Sequence, residues 1–517
     1  MEISNTIDSV VIVGGGTAGW LTASKLAKKL NSNKKGAVSV TLIESPDIPT
    51  VGVGEGTWPT MRKTLAEIGI DETEFIRFCN ASFKQGSKFV NWKSAPASSD
   101  NHYYHLFSSI LDPSEFNLSP YWNLGQAGEK TYAESVSTQG YLSDLFKAPK
   151  TISSKAYDGI QSYAYHLDAG KFSELLKRHA TENLGVKFLS CNVTNVNSHN
   201  EEIISVNTDT YGEIKGDFFV DCTGFACLLL GKTLGIPFKP VSDILFTDHA
   251  IAIQVPHDDD NCDINSCTIS TAQEAGWIWD IGLQNRRGVG HVYCSEFISH
   301  EEAEQTLRDY IGEKSKGLPA KLVPMNVGYR EKFWHNNCVA VGLSAAFVEP
   351  LEASAIFLIE AASNMLSDQL PKDKSLLPLA AKKFNDSFQF RWNKTIDFIK
   401  LHYVLSKRDE PFWQKNKKPE SIPQSLQDAL LQWRSEPVSA YDFSHVYEPF
   451  PMESYQYVLN GMEFEQDLSL SAAKYDEIEH AQKAFAQIDK VKDILIKELP
   501  TNRELLNKLS SYSFTKV

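Results

Sequence analysis

The first apolar run of the chain, Val10–Val13, is short and bounded by polar and glycine positions, which predicts a buried strand. Leu21–Leu30 then shows helical spacing, and Val38–Ile43 forms a second strand that ends on Glu44. Between the first strand and the helix stand Gly14, Gly16 and Gly19 in the order G-x-G-x-x-G. In this setting the first glycine makes the tight turn, the second admits a pyrophosphate to the backbone, and the third lets the helix pack on the strand. The helix N-terminus adds free N–H groups for the phosphates. Glu44, at a strand end, is suited to accept a hydrogen bond from a ribose hydroxyl. The opening of the chain is thus predicted to be a Rossmann-type, dinucleotide-binding α/β unit.

The periods continue along the chain. Ser45–Pro59 carries glycines at 52, 54 and 56 and reads as a loop, either a plain connection or one that approaches a flat ligand. Met61, Leu65 and Ile68 fall on one helical face, ended by Gly69, and Asp71 with Glu74 starts a further helix. Phe75, Cys79 and Phe83 continue that helix as a stripe, placing Lys84 at its border, where a lysine ordinarily snorkels to water, as does Lys88 one turn later. His102–Phe107 (HYYHLF) is dense in rings, as a core strand or as a pocket for a flat substrate. Tyr163–Ala180 reads as an extended segment running into a helix, and 187–221 as strands ending on Asp221, a second acid able to face the same cofactor edge. Trp277, Trp279 and Ile281 alternate on one strand face. Val339–Gly342 is another buried strand, followed by a helix from about Ala355 to Leu370, with Glu352 just before its N-terminus. From 375 to the end the spacing is mainly helical, with linkers at Lys417–Pro423 and Ser435–Ser444. The expected division is 1–370, discontinuous internally, and a mainly helical 371–517 covering the substrate site.

Composition narrows the partners. A net charge of −14 over 517 residues argues against nucleic acid and against a basic membrane surface. The eight cysteines are irregularly spaced without C-x-x-C, as for scattered thiols in a reducing cytoplasm rather than a disulfide framework or a metal site. No 18-residue apolar stretch and no signal peptide are read in the sequence.

Several separated segments together resemble the flavin-dependent halogenases, the tryptophan halogenase group. They are Gly14–Trp20 (GGGTAGW), Val51–Pro59 (VGVGEGTWP), GIDETEF, ASFKQGSKFVNW, Tyr104–Phe107 (YHLF), HLDAGKF, FFVDCTGF, AFVEPLEASAI and Phe398–Trp413. The resemblance implies an α/β FAD-binding fold of the flavin monooxygenase kind, with an inserted β-rich substrate region and a helical C-terminal region. It implies FAD, used as FADH2, held by Gly14, Gly16, Thr17, Ala18, Gly19, Glu44, Gly54 and Gly342. Lys84 falls on the family's active lysine and Glu352 on its glutamate. His105 and Phe107 fall on the aromatic wall of the substrate site, and Ser354 and Ala355 on the halide site. Chloride or bromide would become hypohalous acid, which Lys84 passes to an electron-rich indole or tryptophan carbon.

Three departures mark this chain. The W-x-W-x-I-P signature has Gly282 in place of proline, and P-L-E-S-T-G reads Pro350-Leu351-Glu352-Ala353-Ser354-Ala355. Of residues that would clamp a free amino acid, Tyr455 and Tyr457 are the nearest, so a bare indole fits as well as tryptophan. A single dinucleotide fingerprint implies that a separate flavin reductase supplies FADH2; a homodimer stays open. An aromatic hydroxylase using the same cofactor, or a non-catalytic FAD-binding scaffold, are the alternatives.

Overall fold

A computed structural model describes residues 5–30, 36–48, 54–96, 101–443 and 445–516. Gly52 of the glycine loop, the Asn31–Lys35 connection and Ser444 of the second linker lie outside the described residues. The chain forms two compact units, each assembled from three stretches of sequence: residues 1–80, 167–241 and 326–392 make the first, and 81–166, 242–325 and 393–517 the second. The expected boundary at 370 falls inside the first unit, which continues to Trp392.

The first unit is built on a six-stranded sheet in the order Trp334–His335, Cys338–Ala340, Phe218–Asp221, Ser9–Val13, Ser39–Glu44 and Lys187–Ser190. All neighbours are parallel except the first pair. The central strand is an unbroken apolar run, as a strand covered on both faces requires; Val10 and Ile12 are fully buried. The helix Thr17–Leu30 buries Trp20, Leu21, Ala23 and Leu26. Two glycines allow this packing. Gly14 has φ +116°, and a Cβ there would lie 2.0 Å from the Cys222 carbonyl oxygen. A Cβ on Gly19 would lie 1.9 Å from the Gly14 carbonyl oxygen.

The second unit contains a seven-stranded sheet in the order Ala320–Pro324, His249–Pro256, Arg286–Tyr293, Gly276–Gly282, Thr268–Gln273, Gly86–Val90 and His102–Leu106. Pairing is antiparallel except between Thr268–Gln273 and Gly86–Val90. The strand Gly276–Gly282 buries both faces, not one. Trp277, Trp279 and Ile281 are buried as expected, and so is Ile278 on the opposite face, beneath Ala303, Leu307 and Ile311 of the helix His300–Ile311. Beyond residue 393 the unit is helical, including Gln424–Trp433, Met452–Gly461, Ile478–Glu498 and Asn502–Leu509. The class is α/β, as the sequence predicts.

Candidate active site

In the first unit, Gly16 opens the helix Thr17–Leu30, and a Cβ added to it would meet nothing within 4 Å. The space above the turn is open where a diphosphate would approach the helix N-terminus. The donor set therefore fits a dinucleotide. Glu44 sits at the end of its strand, and Lys177 donates to its carboxylate at 2.7 Å. Gly342, with φ +73°, opens a tight turn against Ala18, whose Cβ would lie 2.6 Å from one added there. Asp221 differs from expectation. It is fully buried and accepts from Thr223 N–H (3.0 Å) and hydroxyl (2.6 Å), Leu229 N–H (2.8 Å), Leu230 N–H (2.9 Å) and the Ser344 hydroxyl (3.1 Å). Its oxygens organise the turn that follows its strand, leaving none for a cofactor edge.

The helix Ser354–Gln369 begins in the same unit after Ala353, a residue at φ +53° whose side chain caps nothing. Its first N–H groups have no intrahelical partners, which makes this end attractive to an anion. Glu352 is 4% exposed, and Trp58 Nε1–H donates to its carbonyl at 2.8 Å. Trp58 also stacks on Phe357 at 4.1 Å. One turn further, Glu360 accepts from the hydroxyls of Thr64 (2.6 Å) and Thr60 (3.2 Å), fixing the helix Thr60–Ile68 against this one. Burial pushes the Glu360 carboxyl up to about 7.

Lys84 lies in the second unit, on a strand rather than on a helix border. The helix Glu72–Phe78 stops at Cys79, Asn80 takes φ +48°, and Ser82–Lys84 is extended and wholly buried. This short strand is held from three directions. It pairs antiparallel with Ala164–His166. On its other edge the Asn502 side chain donates to the Phe83 carbonyl (3.1 Å) and accepts from its N–H (3.4 Å). The Ser82 hydroxyl donates to the Gly282 carbonyl at 2.5 Å. A Cβ on Gly282 would come within 2.9 Å of Ile264, so a larger residue there would have to move Ile264. Lys84 is 1% exposed, and its Nζ lies 5.5 Å from the centre of the Phe107 ring. His166 is also fully buried, and its pKa is held well below the usual value by burial and then by the Lys84 charge. Lys88 does not simply snorkel: it pairs with Asp144 at 2.6 Å, over the Tyr104 ring.

His105 lies near the end of the strand His102–Leu106, and Phe107 is the first residue beyond it. Phe107 N–H donates to the Gln139 side-chain oxygen at 3.0 Å. His105 Nε2 is 2.9 Å from the Ser454 hydroxyl, and its ring lies 5.6 Å from Phe398, which stacks on Phe450 at 3.9 Å. Tyr457 sits 6.3 Å from His105 and donates to the Ser108 carbonyl at 2.7 Å. Tyr455, two residues away on the same helix, is rotated to another side, as helical geometry requires. It packs edge-on to Phe398 (4.9 Å) and Trp433 (5.4 Å) and tilted against Phe443 (5.2 Å). The two tyrosines therefore line different places rather than one clamp.

The profile of the tryptophan halogenase family matches residues 9–475. The chain belongs to this family. The crystal structure of a tryptophan halogenase from Shewanella frigidimarina is similar at TM-score 0.95 and 45% identity, covering 99% of both chains. Tryptophan 7-halogenase RebH of Lentzea aerocolonigenes is 36% identical over 84% of this chain and 83% of its own length. Tryptophan 6-halogenase ThaL of Streptomyces albogriseolus is 33% identical over 99% of this chain and all of its own. The protein is a flavin-dependent halogenase. Among the described residues, no helix is long and apolar enough to cross a membrane, and no group of His, Cys, Asp or Glu is placed to hold a metal ion.

Four halogenase residues of note escaped the sequence reading. Asn502 braces the Lys84 strand from more than four hundred positions away, and Ser454 sets the His105 ring. Lys177 faces Glu44, and Trp58 anchors the backbone of Glu352. Trp58 lies in the quoted VGVGEGTWP segment and Lys177 on the helix read within Tyr163–Ala180, but the sequence reading gives neither a role.

Proposed function

We propose that this halogenase uses FADH2, O2 and chloride or bromide to form hypohalous acid, and installs the halogen on an electron-rich carbon of tryptophan or an indole-like substrate. The observation that carries the reading is Lys84: an amine almost wholly removed from water, against an aromatic wall, on a strand braced on both edges. Reduced flavin, when bound, would give O2 the two electrons that bring it to the level able to oxidise a halide. Gly14, Gly16, Thr17, Ala18 and Gly19 are the proposed diphosphate cradle, with Glu44, Gly54 and Gly342 completing the cofactor contacts. Backbone N–H groups at Ser354 and Ala355 are the proposed halide site. An amide end suits this role because it survives the exchange of Thr-Gly for Ser-Ala.

Lys84 is proposed to hold the hypohalous acid by a hydrogen bond or to carry the halogen as a haloamine. Either role uses the lone pair of the neutral amine or the hydrogen-bonding capacity of its flexible head. His105 and Phe107 are proposed to hold the flat face of the substrate so that one ring carbon meets the halogen, with Tyr457 beside them and Tyr455 behind Phe398. The C–X bond forms as the O–X bond breaks; the ring proton, taken first by Glu352 as the proposed acceptor, ends on the released hydroxide, which leaves as water. A separate reductase is the proposed source of FADH2. The eight free thiols support a reducing, cytoplasmic setting.

The test combines purified protein, FAD, an unrelated flavin reductase, NADH, air and bromide or chloride with tryptophan or indole, and reads products by mass. A halogen isotope pattern that disappears in Lys84→Met is expected. A product heavier by one oxygen would replace this reading with the hydroxylase, and no product from either compound would overturn the proposed substrate class.

A further inference from the structure

A cavity of about 240 Å³ lies within the second unit, behind the ring layer that backs His105. Asp397 enters it from the helix Leu377–Leu405, Trp433 from Gln424–Trp433, and Tyr455 from Met452–Gly461; Phe443 adds a further ring. It opens to solvent, and its volume equals that of roughly eight liquid water molecules, room for a compact organic molecule. Three aromatic rings meet carboxylates on its walls, a combination that suits neither a purely apolar guest nor an anion.

The carboxylates are not equivalent. Asp442 accepts from Ser439 N–H at 2.8 Å and from the side chains of Gln432 (3.2 Å) and Trp433 (3.4 Å). Asp428 accepts from the Gln424 amide at 2.8 Å. Asp397 is 6% exposed, and the Ser425 hydroxyl donates to one of its oxygens at 2.7 Å. Burial pushes the Asp397 carboxyl up, with Ser425 and the Lys394 charge only partly opposing it. A carboxylate held this way gains most from a cation that displaces water and restores its charge. Lys394 also lines the cavity, and its charge, which acts on Asp397, competes with a guest cation there. Trp433 and Tyr455, which also line the cavity, give such a guest apolar cover.

We propose that this cavity is a second ligand site, for a small organic ammonium ion on an apolar body, with Asp397 as its anionic partner. It is separated from His105 by Tyr455 and Phe398, which touch at 4.9 Å, with Phe398 then 5.6 Å from the His105 ring. The site is distinct from the proposed halogenation chemistry and its binding can be read without turnover.

The experiment is calorimetric titration of the full-length, FAD-loaded protein with cyclohexylmethylammonium, and with cyclohexylmethanol as its uncharged counterpart. Neither probe has an aromatic ring to be halogenated. The ammonium is expected to bind saturably, and the alcohol about tenfold or more weakly, the value of one charge-assisted hydrogen bond. Asp397→Asn is expected to bring the ammonium down to the level of the alcohol. Lys394→Met is expected to tighten ammonium binding severalfold, and it decides the matter if Asp397→Asn does not fold. Equal affinity of the two probes, absence of saturable binding, or ammonium affinity unchanged in the folded variants would overturn the proposal.

Discussion

The brace on the Lys84 strand gives a sharp prediction. Asn502→Leu keeps the branched side-chain shape but removes both hydrogen bonds to Phe83, 3.1 Å to its carbonyl and 3.4 Å from its N–H. Asn502 and Phe83 are both completely buried, so water does not readily replace the lost partners. Leaving one buried backbone group unsatisfied costs about 1–3 kcal/mol. The longer of the two bonds is the weaker, so the pair together is worth roughly 2–4 kcal/mol. Relaxation of the strand would relieve part of this by moving Lys84 away from Phe107. A displacement near 1 Å at a reacting group is enough for a loss on the order of a hundredfold in rate. The expected result is therefore a lower urea midpoint and a kcat reduced by about tenfold or more. FAD affinity should not change, because the proposed cofactor residues belong to the other unit. Asn502→Asp can still accept from Phe83 N–H but buries a charge facing the carbonyl, and should lower the urea midpoint at least as far as leucine. Wild-type kcat and an unshifted urea midpoint in Asn502→Leu would refute the bracing argument.

Gly16→Ala should leave the thermal midpoint unchanged, since its Cβ meets nothing within 4 Å, yet weaken FAD binding by filling the diphosphate space; unchanged FAD affinity by fluorescence titration would count against the cradle. Lys84→Met should keep FAD binding and circular dichroism intact while halogenation falls about a thousandfold, the scale of removing a positioned functional group; product yield under single turnover checks this. Stability should fall in mild acid through His291. Burial lowers its pKa from 6.5 to about 4, so the unfolded chain binds this proton first and the folded state loses stability as pH drops below 6.5, reaching about 3 kcal/mol near pH 4. Urea melts from pH 7 to 4.5 should show this loss diminished in His291→Gln, which cannot take up the charge.

Local sequence determined those parts of the protein in which neighbouring residues decide the backbone. Gly14 is required by its own φ and by the carbonyl it faces, and Asp71 and Gly69 punctuate their helices by local hydrogen bonding and left-handed geometry. Val10–Val13 could only be a buried strand, and the resemblance that followed from these motifs led to the family. Tertiary structure decided the rest. Phe75, Cys79 and Phe83 carry a helical stripe, but the backbone turns at Asn80 because Phe83 finds its partners in Tyr165 and Asn502, neither of which is near in sequence. Asp221 ends its strand as a ribose-binding acid would, yet the turn after it and the distant Ser344 together satisfy it. Tyr455 and Tyr457 differ by two positions on a helix and so face different neighbours. Periodicity records which side of an element is apolar. It carries no record of which distant donor or carboxylate will meet that side, and here those meetings set the surroundings of Lys84.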